Sequence, residues 1–286
     1  MPTLPVTLSI AGSDSGGGAG IQADLKAMSA LGCFATSAIT AITAQNTRGV
    51  TQAQLLDPAL IRAQIDAVAS DMRIAATKTG MLGSVAVVEA VAAAVDAHGL
   101  VPLVVDPVMI AKGGDALLAD DAVDALVREL LPRATLLTPN AHEAERLSGV
   151  EVRDLDGAHR AIARLAELGA RAVLLKGGHL PARRDPADGL FLVDLLWDGH
   201  DVVEVVAPWH PGGHTHGTGC TYAAAIAALL ARGHGLRGAV RIARRYLGGA
   251  IRHGLAVGEG IGPTDHFWFL EPGEEPWMRA TASTDD

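Results

Sequence analysis

The chain has little cysteine: only Cys33 and Cys220 in 286 residues. That excludes a fold stapled by several disulfides, and a chain of this length does not need one, so free thiols in a reducing cytoplasm are expected. Positive charge is also scarce. Lys and Arg number 23 against 32 Asp and Glu, a formal net charge of −9. A general basic surface is therefore absent, and neither nucleic acid nor an anionic membrane is expected as a partner. No basic segment followed by an apolar one stands at Met1–Ile10, so no secretory signal is expected. The most apolar windows, Val85–Val95 and Tyr222–Ala231, are too short to span a bilayer. There is no internal repeat, low-complexity block or dividing linker. With 49% hydrophobic and 19% charged residues, the chain is expected to bury a real core. The expectation is one domain over residues 1–270 and a polar tail over 271–286.

What is present is an alternation of short β-rich and longer Ala-rich runs. Val6–Ile10, Phe34–Ala44, Ala75–Thr79, Leu103–Asp106, Thr135–Thr138 and Ala172–Lys176 read as strands, apolar on both sides as in strands covered on both faces. Ile21–Leu31, Pro58–Ser70, Val85–His98, Ala116–Leu131, Glu143–Ser148 and Leu155–Leu168 read as helices, followed late in the chain by Cys220–Ala231 and Arg237–Ile251. This order predicts an α/β fold with a doubly wound, mostly parallel sheet flanked by helices. Leu190–Leu196 and Val202–Val206 flank Asp198-Gly199, a turn signal, and predict an antiparallel edge hairpin.

Open sheets of this kind bind ligands beyond the carboxyl ends of their strands. Polar or glycine-rich groups fall there repeatedly: Ser13-Asp14, Gln45-Asn46, Lys78–Met81, Asp106, Thr138-Pro139-Asn140 and Lys176-Gly177-Gly178. AGSDSGGGAG, Ala11–Gly20, is neither a Walker A loop nor a Gly-x-Gly-x-x-Gly turn, but its glycines permit close approach to a flat ligand. Asp24 lies near the start of the first helix, where it serves either the helix dipole or a ligand. Gln45 offers both a donor and an acceptor, suited to an aminopyrimidine or pyridine edge. Asp106 and Glu143 are two carboxylates at neighbouring strand ends, able to hold Mg²⁺ and share it with ATP phosphates, or else to cap helices. Lys176 is placed for phosphate. His210, His214 and His216 lie in a Pro/Gly-rich segment without zinc spacing, which reads as a mobile loop over the cleft.

In HGTGCTYAAAIAALL, Gly217, Thr218, Gly219 and Cys220 open a helix with no charge before Arg232. A helix N-terminus exposes unpaired N–H groups and partial positive charge, and glycines let that backbone wrap an anion. The same dipole lowers a thiol pKa, so Cys220 is a candidate base or nucleophile, with structural packing as the alternative.

Eight segments, AGSDSGGGAGIQADLKAMSALG, ITAQNT, KTGMLGS, VVDPVM, LTPNAHEAERLSG, LLKGGH, HTHGTGCT and GIGPTDHF, together resemble the hydroxymethylpyrimidine/phosphomethylpyrimidine kinases of thiamine biosynthesis, in the ribokinase-like superfamily. The likeness spans about residues 8–267. It implies ATP, Mg²⁺ and two successive phosphorylations, of 4-amino-5-hydroxymethyl-2-methylpyrimidine and of its monophosphate. It also implies that Gln45, Asp24, Gly12, Met81 and Val108 form the pyrimidine site. Asp106 and Glu143 would be the metal-side acids, and Asn140, Lys176 and Thr218 the nucleotide contacts. Gly217 and Gly219 would frame an anion hole beside Cys220, and the molecule would be a homodimer. Two departures stand out: Asp265 where the family usually has Asn, and His214 where Asn is frequent. The alternatives are a pyridoxal or pyridoxine kinase and, from another class, a non-catalytic pyrimidine-binding regulator. The intact set Asp106, Glu143, Lys176 and Gly217–Cys220 argues against the latter.

Overall fold

The computed structural model describes residues 4–109, 119–185, 189–210 and 213–270. The expected tail and the first residues of the helix expected at 116–131 lie outside them. All ten described strands join one sheet, in the order β10-β9-β7-β6-β5-β4-β1-β2-β3, with β8 paired to β9. The strands are β1 (Val6–Asp14), β2 (Phe34–Asn46), β3 (Gly49–Leu55), β4 (Ile74–Thr79), β5 (Leu103–Val105), β6 (Leu136–Leu137), β7 (Val173–Leu175), β8 (Arg183–Asp185), β9 (Gly189–Trp197) and β10 (Val202–Pro208). From β2 through β1, β4, β5, β6 and β7 every pairing is parallel. The expected hairpin is β9–β10, antiparallel and at one edge.

Helices cover both faces. α2 (Pro58–Asp71), α3 (Val85–His98), α5 (Ala141–Ser148) and α6 (Leu155–Glu167) bury Ile61, Val91, Ala144 and Leu165 in one apolar cluster. α1 (Gly20–Ala30), α7 (Thr218–Ala231) and α8 (Leu236–Arg252) bury Met28, Ile226 and Tyr246 in the other. Alternation along β5 divides the strand between them: Leu103 and Val105 face the first cluster, Val104 the second. α4 (Asp120–Ala125) runs on through a π turn, Leu126–Leu130. The helix ends follow their sequence signals. Asp57 accepts the Ala59 N–H at 2.8 Å and Asp154 the Gly157 N–H at 2.8 Å, while Gly99 and Gly149 close α3 and α5 in the left-handed region.

Two features differ from expectation. β1 and β2 run on to Asp14 and Asn46, so the polar residues expected beyond these strands belong to their last turns of ladder. Neither β3 nor the short β8 was expected. The residues of β3 are half-buried or exposed, only Thr51, Gln52 and Gln54 are polar, and the strand forms along the edge of β2 opposite β1.

The chain passes from β1 to β2 on one side and returns to β4 on the other side of β1. Helix α1, which follows β1, and helix α3, which follows β4, therefore pack on opposite faces. The carboxyl ends of β1 and β4 part into a crevice at this switch point.

Candidate active site

One cavity of about 770 Å³ opens over these strand ends. Its centre is a cluster of two acids and a lysine. Asp106, just past β5, is buried, and its Oδ1 lies 2.8 Å from Lys176 Nζ and accepts from Thr138 Oγ1 at 3.2 Å. Lys176 is fixed in turn by its own N–H, which donates to the Pro139 carbonyl at 2.8 Å. Asn140 and Glu143 make a capping box for α5: Asn140 Oδ1 accepts the Glu143 N–H at 2.9 Å, and Glu143 Oε2 accepts the Asn140 N–H at 2.7 Å. That cap leaves Glu143 Oε2 3.7 Å from Lys176 Nζ. Glu143 is thus both a helix cap and a member of the cluster. Burial pushes its carboxyl up to about 7, Lys176 pulls against that, and Asp106 adds to it.

When both acids are ionised, Asp106 and Glu143 carry one negative charge more than Lys176 offsets, which a divalent cation would balance. Among the described residues no three His, Cys, Asp or Glu side chains converge as a metal site. The pair Asp106 and Glu143 nonetheless suits Mg²⁺, which uses one or two carboxylates and completes its shell with water and phosphate oxygens.

The glycine turn stands against this cluster. Gly219 faces it directly: a Cβ there would lie 3.5 Å from Lys176 Nζ and 3.8 Å from Asp106 Oδ2. Gly217 has another reason to be glycine. Its φ is +80°, and a Cβ would overlap the Gly18 carbonyl oxygen, so the turn packs on the Ala11–Gly20 loop. α7 begins at Thr218 without any side-chain cap; the Thr218 N–H reaches the Thr215 carbonyl at 3.5 Å, and Thr218, Gly219 and Cys220 all line the cavity.

For Cys220 the expectation of a depressed thiol pKa is corrected. Burial pushes it up to about 11; Lys78 and the Gly20 N–H work against the rise, while Asp24 and Asp106 reinforce it. Cys220 is half-buried, and its burial together with the neighbouring carboxylates outweighs Lys78 and the Gly20 N–H.

Gln45, Gly12, Met81 and Val108 all line the cavity. Gly12 and Met81 fit as a pair, since a Cβ on Gly12 would meet Met81 Sδ at 2.9 Å. Asp24 does not line it. The aspartate sits in the second turn of α1, fully buried, with Ser9 Oγ donating to it at 2.6 Å and Lys78 Nζ at 2.9 and 3.0 Å. It lies beyond the first turn of α1 and off the cavity wall, and it holds Lys78, which is among the lining residues.

Lys78 was placed at a strand end from sequence but given no role, although a lysine inside an apolar strand is a signal. Asp194 in β9 was not named from sequence; it is paired at 3.0 Å with Arg244 of α8 and accepts the Gly177 N–H at 2.7 Å. Asp14, too, was placed at a strand end without a role. Its carboxylate closes the glycine loop by accepting the Gly16, Gly18 and Ala19 N–H groups at 2.8, 3.1 and 2.8 Å. Burial works against its charge, but His216 and those amides hold its pKa below the ordinary value.

The reading of His210–His216 as a mobile loop is corrected for His214 and His216; residues 211–212 lie outside the described residues. The His216 N–H donates to the Gly262 carbonyl at 3.0 Å, and His216 Nε2 lies 2.8 Å from Asp14 Oδ2. His214 Nδ1 accepts the Gly262 N–H at 3.2 Å, and Asp265 Oδ1 accepts the Phe267 N–H at 2.8 Å, so both departures from the family pattern serve local backbone.

The model of the family described as phosphomethylpyrimidine kinase matches residues 14–265. A hydroxymethylpyrimidine/phosphomethylpyrimidine kinase of Bacillus subtilis is 47% identical over 262 residues, 92% of this chain and 94% of that protein. The solved phosphomethylpyrimidine kinase of Clostridium difficile 630 shares 39% identity with a TM-score of 0.74, over 85% of this chain and 97% of that one. The pyridoxal kinase of Staphylococcus aureus, solved with AMP-PCP and pyridoxal, shares 31% identity with a TM-score of 0.83, over 94% of this chain and 96% of that one.

Proposed function

Because the chain belongs to the phosphomethylpyrimidine kinase family, we propose that it transfers phosphate from ATP to 4-amino-5-hydroxymethyl-2-methylpyrimidine and then to the monophosphate formed, in thiamine biosynthesis or salvage. The observation that carries the reading is the convergence of Asp106, Glu143 and Lys176 on Gly219 at the open end of α7. Phosphoryl transfer asks mainly for positioning and charge stabilisation. Lys176 and the first-turn amides of α7 supply fixed positive charge for phosphate oxygens, and Asn140 and Thr218 border the same wall. Mg²⁺ held by Asp106 and Glu143 would neutralise charge on the transferring group. Gln45, Met81, Val108 and Gly12 form the side that takes the flat ring.

The two acceptors differ in one respect. The alcohol must lose a proton, whereas a phosphate monoester, with a second pKa of about 6, is already largely ionised. With its thiol at about 11, Cys220 stays protonated at neutral pH and acts as a neighbour to the acceptor oxygen, not as its base.

The structural likeness to a pyridoxal kinase favours a second reading, phosphorylation of pyridoxal. ADP release assayed with the pyrimidine alcohol, its monophosphate and pyridoxal separates the readings. Turnover of both pyrimidines, with pyridoxal poorer, is expected; turnover of pyridoxal alone overturns the proposal, and no turnover with any of them favours a silent binding protein. Exposed Ile42 and Leu55 on the β2–β3 flank support a homodimer, and the unpaired Cys33 and Cys220 support a cytoplasmic location. No helix among the described residues is long and apolar enough to cross a membrane.

A further inference from the structure

The polar groups around Gln45 admit only one sense of its amide. Asp14 Oδ2 lies 2.8 Å from His216 Nε2 while accepting two backbone N–H groups. An ionised carboxylate only accepts, so Nε2 carries the imidazole proton and points it at Asp14. The same Nε2 stands 3.3 Å from the end of the Gln45 amide. If the amide nitrogen faced His216, one N–H would confront another. On the other side, Thr43 Oγ1 is 3.2 Å from the second end of the amide, and its single proton goes to the Ser13 carbonyl at 2.7 Å. If the amide oxygen faced Thr43, two acceptors would meet. With the amide in the opposite sense both contacts become hydrogen bonds. Gln45 Oε1 then accepts a share of the His216 Nε2–H, a three-centre bond with Asp14, and the Gln45 NH₂ donates to Thr43 Oγ1.

We propose that His216, held by Asp14, and Thr43 set the sense of the Gln45 amide and so determine which heterocycle the cavity accepts. One amide N–H and one Oε1 lone pair remain for the ligand, acceptor toward His216 and donor toward Thr43. A 4-aminopyrimidine presents the complement on adjacent atoms: an amino group to donate to Oε1 and a ring nitrogen to accept from the NH₂. Pyridoxal carries no amino group next to its ring nitrogen and cannot satisfy both. His216 is a positioning residue; it sets specificity through Gln45. The inference rests on the proposed pyrimidine substrate.

The test measures dissociation constants for the pyrimidine alcohol and for pyridoxal by calorimetry, with the KM for ATP alongside. His216→Phe keeps the ring but removes the N–H. It is expected to weaken the pyrimidine about tenfold, the cost of about one hydrogen bond, to change pyridoxal less than threefold, and to leave the KM for ATP within twofold. His216→Gln, which restores an N–H, is expected to recover most of the loss. Thr43→Ala loosens the other end of the amide and is expected to shift the ratio in the same direction, and it decides the matter if His216→Phe does not fold. Equal weakening of both ligands, an unchanged ratio, or no recovery in His216→Gln overturns the inference. Wild-type turnover tests the substrate, whereas the change in binding ratio tests His216, so the two fail separately.

Discussion

Lys78 Nζ lies 3.0 and 2.9 Å from the two carboxylate oxygens of Asp24, and neither side chain has any exposed surface. Burial works against the charge of Lys78, but Asp24, with Cys220 and Asp106 nearby, holds its pKa above that of an ordinary lysine. Removing one partner strands the other charge in the core. Lys78→Met and Asp24→Asn are each expected to cost about 3–5 kcal/mol in urea unfolding. The double variant Lys78→Met/Asp24→Asn should cost clearly less than the sum, since it strands no charge. Additive losses would show that the two residues are not coupled.

His266 gives the molecule a pH signature. Its imidazole is buried, with Nε2 3.0 Å from Thr221 Oγ1, and burial first, then Lys26, pushes its pKa down to about 4 from an ordinary 6.5. Between those values the unfolded chain binds a proton that the folded chain refuses. Stability therefore falls as pH drops from about 6.5 to about 4, by about 3 kcal/mol in all. Glu143, raised to about 7, acts in the opposite sense over much of the same range. The readout is accordingly the unfolding free energy of the wild type minus that of His266→Gln, which should fall by about 3 kcal/mol as pH drops from about 6.5 to about 4. Parallel curves would place His266 in solvent.

Alkylation reports directly on Cys220. Cys33 is also pushed up to about 11 by burial, so a Cys33→Ser background isolates the site. The rate with iodoacetamide should climb about tenfold per pH unit from pH 7 to 10, following the thiolate fraction. A plateau before pH 9 would instead restore the activated thiolate.

The two glycines of the turn should respond differently. Gly217→Ala puts a Cβ at positive φ and against the Gly18 carbonyl, so a marked fall in melting temperature is expected, from strain of at least about 1–3 kcal/mol. Gly219→Ala meets Lys176 and Asp106 only at ordinary contact distance. Its stability should change by no more than about 0.5 kcal/mol, while kcat/KM for ATP drops about tenfold, a loss of about 1.4 kcal/mol. Retained kcat/KM in Gly219→Ala would remove the phosphate from that end of α7.

Chelation should abolish turnover, and added Mg²⁺ or Mn²⁺ should restore it. Glu143→Gln keeps an acceptor for the Asn140 N–H but removes the charge, so the Mg²⁺ concentration for half-maximal activity should rise about tenfold, in line with the loss of a charged ligand. An unchanged metal requirement would leave Glu143 as a cap alone.

The sequence by itself determined the elements and their order. Apolar runs without alternation mark strands buried on both faces, and Asp57, Ser84, Asn140 and Asp154 mark helix starts, because those signals act within a few residues. The strand-end positions of Asp106 and Lys176 and the helix-start positions of Glu143 and Gly217–Cys220 were legible for the same reason. Only the tertiary structure decided what those groups meet. Asp14 and His216 are 202 residues apart, and Lys78 and Asp24 are 54 apart; no local pattern pairs them. β3 has no buried residue, so no buried face marks it as a strand until β2 offers it an edge. The state of Cys220 followed the same rule: a helix start raises the prospect of a thiolate, but desolvation is set by everything packed around the sulfur, and here it outweighs the nearby cation.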